Sequence, residues 1–130
     1  PAAWSPAADA PPAGFELAPI GATIEDAGGA VLAMSGPASM HGADYRLAEV
    51  EYCISSLSGT AEIGNAFVFG YDGSTVEFVN DTTDRTSAGC YTVLTTPAVA
   101  ATDAYLFYLQ TTGTGDTSNA STRSTWVIAP

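Results

Sequence analysis

A chain of 130 residues is the size of one ordinary domain, and 46% apolar, 10% aromatic and 13% charged residues make its composition globular, not disordered. Fourteen Asp and Glu stand against Arg46, Arg85 and Arg123, with no lysine and a formal net charge of −11. That balance excludes nucleic acid and anionic membrane surfaces, which need clustered cations, and it excludes Schiff-base chemistry; a cation, a neutral polymer such as glycan, or another protein remains as partner.

Residues 1–14, PAAWSPAADAPPAG, carry Pro1, Pro6, Pro11 and Pro12 and show no periodicity. Proline lacks the amide donor and fixes φ, so this segment is expected to be an extended arm, packed either on its own body or on a neighbouring copy. Fully extended, it would reach about 45 to 50 Å. With Trp4, Phe15, Leu17 and Ile20 as apolar anchors, the arm and the strand-like 15–20 are expected to complete the sheet edge of a neighbouring copy. Head-to-tail contacts of that kind do not close on themselves and so build filaments. The chain opens at Pro1 as a processed product or a trimmed chain would.

From residue 15 onward, short alternating or β-branched and aromatic runs are punctuated by glycine and small polar pairs. Strands are predicted over 15–20, 23–26, 30–35, 45–55, 60–63, 66–71, 75–79, 90–95, 104–111 and 125–129. Turns are expected at 28–29, 36–37, 72–73, 80–81 and 113–119; Asp72-Gly73 between FVFGY and STVEFV is the clearest hairpin signal. No helical periodicity of useful length and no membrane-length apolar run appears. These features predict an all-β fold, an antiparallel β-sandwich of jelly-roll type, with residues 15–130 as one domain.

In RLAEVEYCIS, Ala48, Val50, Tyr52 and Ile54 share one face, and Glu49, Glu51 and Cys53 the other. In CYTVLT, Tyr91 and Val93 oppose Cys90, Thr92 and Leu94. The two cysteines are either buried free thiols or a disulfide. Their strand-like settings in an acidic, Thr-rich chain favour a disulfide, an outer-face or edge staple between neighbouring strands that belongs to an oxidising compartment.

The stretch NDTTDRTSAGCYTV, residues 80–93, gathers the candidate chemistry. Asn80, Asp81 and Asp84 are an oxygen set of the kind calcium takes, yet the EF-hand glycine and terminal Glu are missing. Arg85 beside them favours a structural corner in which the guanidinium pairs with Asp81 or Asp84 and orders the loop. Asn80-Asp81-Thr82 and Asn119-Ala120-Ser121 fit the N-glycosylation triplet, both in expected surface turns. His41 is the sole histidine, and neither a GxSxG elbow nor an HExxH pair exists, so no enzyme is expected. The carboxylates of Glu49 and Glu51 lie two apart on one strand face, a spacing that a glycosidase permits and nothing else supports.

Aromatic stripes sit at strand spacing: Phe67, Phe69 and Tyr71 on one run, Tyr105 and Phe107 on another with Tyr108 opposite. Such stripes are ordinarily core. Trp4 and Trp126, near the two ends, are less easily absorbed into it.

Over residues 45–128, NDTTDRTSAGCYTV together with the upstream VEYCIS resembles a signature of secreted bacterial β-sandwich domains to which no chemistry is assigned. The resemblance implies export and a paired Cys53 and Cys90, and transfers no active site; residues 1–14 lie outside it. The expectation drawn from all of this is an extracellular structural subunit that polymerises through its arm. Copies carrying −11 each repel, so divalent cations such as calcium, high salt or interposed glycans would assist. The alternatives are a secreted glycan-binding or adhesion module and a viral capsid or decoration protein.

Overall fold

The computed structural model describes residues 4–7, 13–18, 21–34, 39–40, 43–71, 76–99 and 104–128. Its elements are β1 (Trp4–Pro6), β2 (Gly14–Ala18), β3 (Gly21–Glu25), β4 (Gly28–Met34), β5 (Ser39–Met40), β6 (Ala43–Leu57), β7 (Glu62–Tyr71), β8 (Val76–Asp81), β9 (Gly89–Val99), β10 (Ala104–Thr112) and β11 (Asp116–Ile128). Every pairing between them is antiparallel. A first sheet runs β1-β4-β10-β7-β8 and a second β2-β3-β11-β6-β5, with β9 also on β6. The two sheets pack face to face as a β-sandwich.

Alternation decides what fills the space between them. From the second sheet come Ile24, Leu47, Val50, Tyr52 and Ile54; from the first come Leu32, Val68, Tyr105, Phe107 and Leu109, all buried. Large rings face small partners: Phe107 and Tyr52, centroids 5.5 Å apart, find room beside Ala30 and Ala66. Such large-to-small complementarity is how interiors reach crystal-like density.

Of the two placements open to residues 1–14, the described residues 4–7 take the one on this chain's own body. Trp4–Pro6 pair with Leu32 to Ala30 on the edge of this chain's own first sheet, and the Ala7 amide donates to the Gly29 carbonyl at 3.0 Å. Trp4 is only 8% exposed and packs edge-on against Phe107. Proline at the end of a three-residue edge strand is tolerated because its missing N–H faces no partner. Phe15 and Leu17 lie in β2, opposite Ile24 and Ala22; Ile20 falls outside the described residues. The N-terminal segment thus supplies an edge strand to each sheet.

A correction concerns 113–119. Only 113–115 turns; the strand begins at Asp116, and polar residues continue it to Ile128 between β3 and β6. Gly113 and Gly115 adopt positive φ, and a Cβ on either would collide with the Thr60 or Ser58 carbonyl, so this turn and the one at 58–60 need each other's glycine backbone. Likewise 80–81 ends β8 and is no turn, and the expected strands 60–63 and 66–71 merge into β7. The hairpin around Asp72-Gly73 joins β7 to β8 in register from Tyr71↔Val76, the connection itself lying outside the described residues.

Candidate functional site

Cys53 and Cys90 are bonded, and they face each other in register across β6 and β9, as the alternation had placed them. The bond lies on the outer face of the second sheet, where Glu49, Glu51, Thr92 and exposed Arg123 and Thr125 also stand. Arg123 pairs with Glu51 at 2.8 Å, and the Thr125 hydroxyl donates to Glu49 at 3.4 Å. The two carboxylates therefore serve cross-strand contacts on a solvated face.

Beneath β9 the loop 82–88 folds around Arg85. Its backbone bridges Ile63 in both directions, at 2.9 and 3.0 Å, and its guanidinium meets Asp81 at 2.9 Å while lying 4.6 Å from the Tyr91 ring centre. Asp81 also accepts the Thr83 amide at 3.0 Å, and the Tyr91 hydroxyl donates to the Ser87 carbonyl. Burial opposes ionisation at Asp81, but the Thr83 amide and Arg85 outweigh it and hold the carboxyl below its ordinary value. The Asp81 hydrogen bond in turn raises Arg85. Burial pushes the neighbouring Tyr52 phenol up to about 12, against the pull of Arg85.

The residues singled out as an oxygen set are distributed over different tasks. Asn80 donates to Asn65 at 3.1 Å, Asp81 is held by Arg85, and Asp84 is exposed. Among the described residues, no three His, Cys, Asp or Glu side chains gather. The triplet at Asn119 is not in a surface turn: Asn119 is 6% exposed in a central strand and donates to the Cys53 and Ser121 carbonyls at 3.2 Å each. A carboxamide so used is not presented as a glycan acceptor. Asn80 also sits in a strand, half-buried. His41 lies outside the described residues.

The outer face of the first sheet is different in kind. Tyr105 and Phe107 point inward as expected and Tyr108 outward, but Phe67 and Phe69 are reversed: Ala66 and Val68 occupy the core and the two rings stand outside. The ring planes of Phe67 and Phe69 are 18° apart with centroids at 5.5 Å, and Tyr108 meets Phe67 nearly at right angles, 84°, at 5.6 Å. Together with Val31 and Gln110 they line a shallow cavity of about 290 Å³. Gly29 makes room for Tyr108, since a Cβ there would sit 2.7 Å from the phenol oxygen. Beside the rings runs an amide row in which Asn80 donates to Asn65 and Asn65 to Gln110, at 3.1 and 2.8 Å. The Asn80 carbonyl oxygen is buried with no partner among the described residues. Leu106, 40% exposed, extends the apolar surface.

The alternation that places Phe67 and Phe69 on one face was readable, but not which face. No protein-family model, curated protein or solved structure matches the chain, so the likeness carried by NDTTDRTSAGCYTV rests on that motif alone. Among the described residues no helix is long and apolar enough to cross a membrane.

Proposed function

We propose that the protein is an exported, non-enzymatic adhesion module whose contact surface is the outer face of the first sheet. The observation that carries this reading is the contrast between its two outer faces. A sheet face turned to water is ordinarily polar, and the second sheet's is so around Glu49, Glu51, Thr92, Arg123 and Thr125, where Leu94, 63% exposed, is the one large apolar side chain among the described residues. Three aromatic rings standing outside the core, around a cavity with amides alongside, mark a surface kept for a partner. The disulfide supports residence in an oxidising compartment. Strand orders β3-β11-β6-β9 and β4-β10-β7-β8 support a jelly-roll reading, with β1, β2 and β5 added at the edges. The test is adsorption of labelled protein to cell-surface material. Phe67→Ser with Phe69→Ser should abolish it and Thr92→Ala on the opposite face should not; equal adsorption by all three would refute the reading.

A second reading, assembly of copies by exchange of N-terminal strands, is favoured by one feature: β1 and β2 both lie at sheet edges, on the side where strands can leave without breaking the centre. An exchanged Trp4 would refill the same socket in a neighbour, so the contacts are conserved and concentration decides. Analytical ultracentrifugation across concentration, with and without residues 1–7, tests it; calcium or high salt should promote association if charge repulsion opposes it.

A further inference from the structure

We infer that the cavity on the first sheet's outer face binds one ring of a neutral saccharide, stacked on Phe67 and Phe69 and held through its hydroxyls by Gln110. This rests on the adhesion reading and names its ligand. The argument begins with charge. Among the described residues, none that lines the cavity and none of the three amides is an Asp, Glu, His or Arg, and the molecule's net charge of −11 repels anionic ligands. A cationic ligand would find no carboxylate among the described lining residues.

The chemistry of the walls then narrows the class. An aromatic face carries negative quadrupole charge and attracts the slightly positive C–H bonds of a ring laid across it. Phe67 and Phe69 present two nearly parallel planes for that purpose, and Tyr108, nearly perpendicular to Phe67, limits how a ring can slide. A purely apolar ligand would gain nothing from the amide row. Because Asn65 donates to the Gln110 carbonyl oxygen, that carboxamide is fixed in orientation and its nitrogen supplies the donors on the cavity side. Few and fixed polar groups on an apolar wall are how small-molecule sites set orientation.

Size agrees with a single ring. At about 290 Å³ the cavity lies at the bottom of the range for ligand sites, about 300 Å³ and upward. Being open on a sheet face, it suits one unit of a chain that continues over the surface. The Asn80–Asn65–Gln110 row explains its polarity without a charged residue: each amide orients the next, and the bonds polarise one another.

The experiment is titration of isotope-labelled full-length protein with neutral gluco-, galacto- and manno-configured oligosaccharides, read by amide chemical shifts, beside an acidic oligosaccharide. The expected result is saturable shifts confined to β4, β7, β8 and β10 with at least one neutral sugar. Gln110→Ala should weaken binding about tenfold with the spectrum otherwise intact, as loss of a ligand hydrogen bond implies. Phe67→Ala should remove binding, and Thr92→Ala should leave it unchanged. The inference is overturned if no neutral sugar shifts those amides at millimolar concentration, if only the acidic probe binds, or if Gln110→Ala binds as the parent does. Cell adsorption that depends on Phe67 and Phe69 without any sugar binding would overturn the saccharide and keep the adhesion face. Self-association through the same rings would overturn it too. Loss of both adsorption and sugar binding in the parent would remove both readings.

Discussion

The ring of Trp4 stands edge-on to that of Phe107, centroids 5.9 Å apart and planes at 64°, so the first strand of the chain is anchored on the middle strand of its sheet. The indole closes one side of the sandwich. Trp4→Ala should therefore cost about 3 kcal/mol in denaturant unfolding, the low end for truncating a large buried ring, because an edge site can partly collapse. An unchanged midpoint would mean that β1 does not close the core in solution.

The Cys53–Cys90 bond encloses a separation of 37 residues that includes β7, β8 and the Arg85 loop. Reduction, or replacement of both cysteines by Ser, is expected to lower stability by about 2 to 4 kcal/mol on loop-closure grounds. Urea unfolding with and without reductant measures it, and coincident curves would contradict it.

At low pH the Asp81 corner should loosen first. Its carboxyl ionises below the ordinary 3.8, so its stabilising contribution is complete above that value and disappears as pH falls through the lower folded-state pKa. Asp81→Asn, which keeps the shape and removes the charge opposite Arg85, should cost about 1 to 2 kcal/mol at neutral pH and flatten the acid limb of the stability profile. A parent-like acid limb in that variant would show that the pair does not set it.

The alkaline limb should report Tyr52. With the folded phenol at about 12 and the unfolded one at 10.0, stability is complete below pH 10 and falls as pH rises towards 12, because the unfolded chain ionises first. Two units correspond to a loss on the order of 2 to 3 kcal/mol. Unfolding midpoints measured over that interval for the parent and Tyr52→Phe should diverge, and parallel curves would sink the assignment.

Thr117 offers the opposite sign. Its side chain is fully buried between Ile24 and Leu57, and its hydroxyl has no hydrogen-bond partner among the described residues. Thr117→Val keeps the shape and removes a stranded polar group, so it should stabilise by about 1 kcal/mol. A loss of stability would mean that the hydroxyl finds a partner after all.

Much of the second sheet could be read from RLAEVEYCIS and CYTVLT, because rows of Val, Ile and Tyr against Glu, Thr and Cys fix both period and face. Arg85 announced its pairing by being the lone cation in an acidic stretch. The stretch of β11 from Asp116 to Ser124 was not readable, since DTSNASTRS has the composition of a turn and is a strand only because β3 and β6 flank it. The same context buries Asn119, whose side-chain nitrogen donates to the nearby Ser121 carbonyl and to the Cys53 carbonyl, which the linear sequence places 66 residues away. Phe67 and Phe69 misled in the other direction. Rings are expected inside, but rings from β6 and β10 already fill that space, so β7 meets them with Ala66 and Val68 and turns its own rings out.

Both sheets take their middle strand from the end of the chain: β10 lies between β4 and β7, and β11 between β3 and β6. Before residues 104–128 are made, the β1–β4 pair, the β2–β3 and β7–β8 hairpins and the β6–β9 pair with its two cysteines can form, but nothing joins β4 to β7 or β3 to β6. Closure of both sheets, and with it the shared core, therefore waits on β10 and β11, which makes it a late step built from long-range pairings.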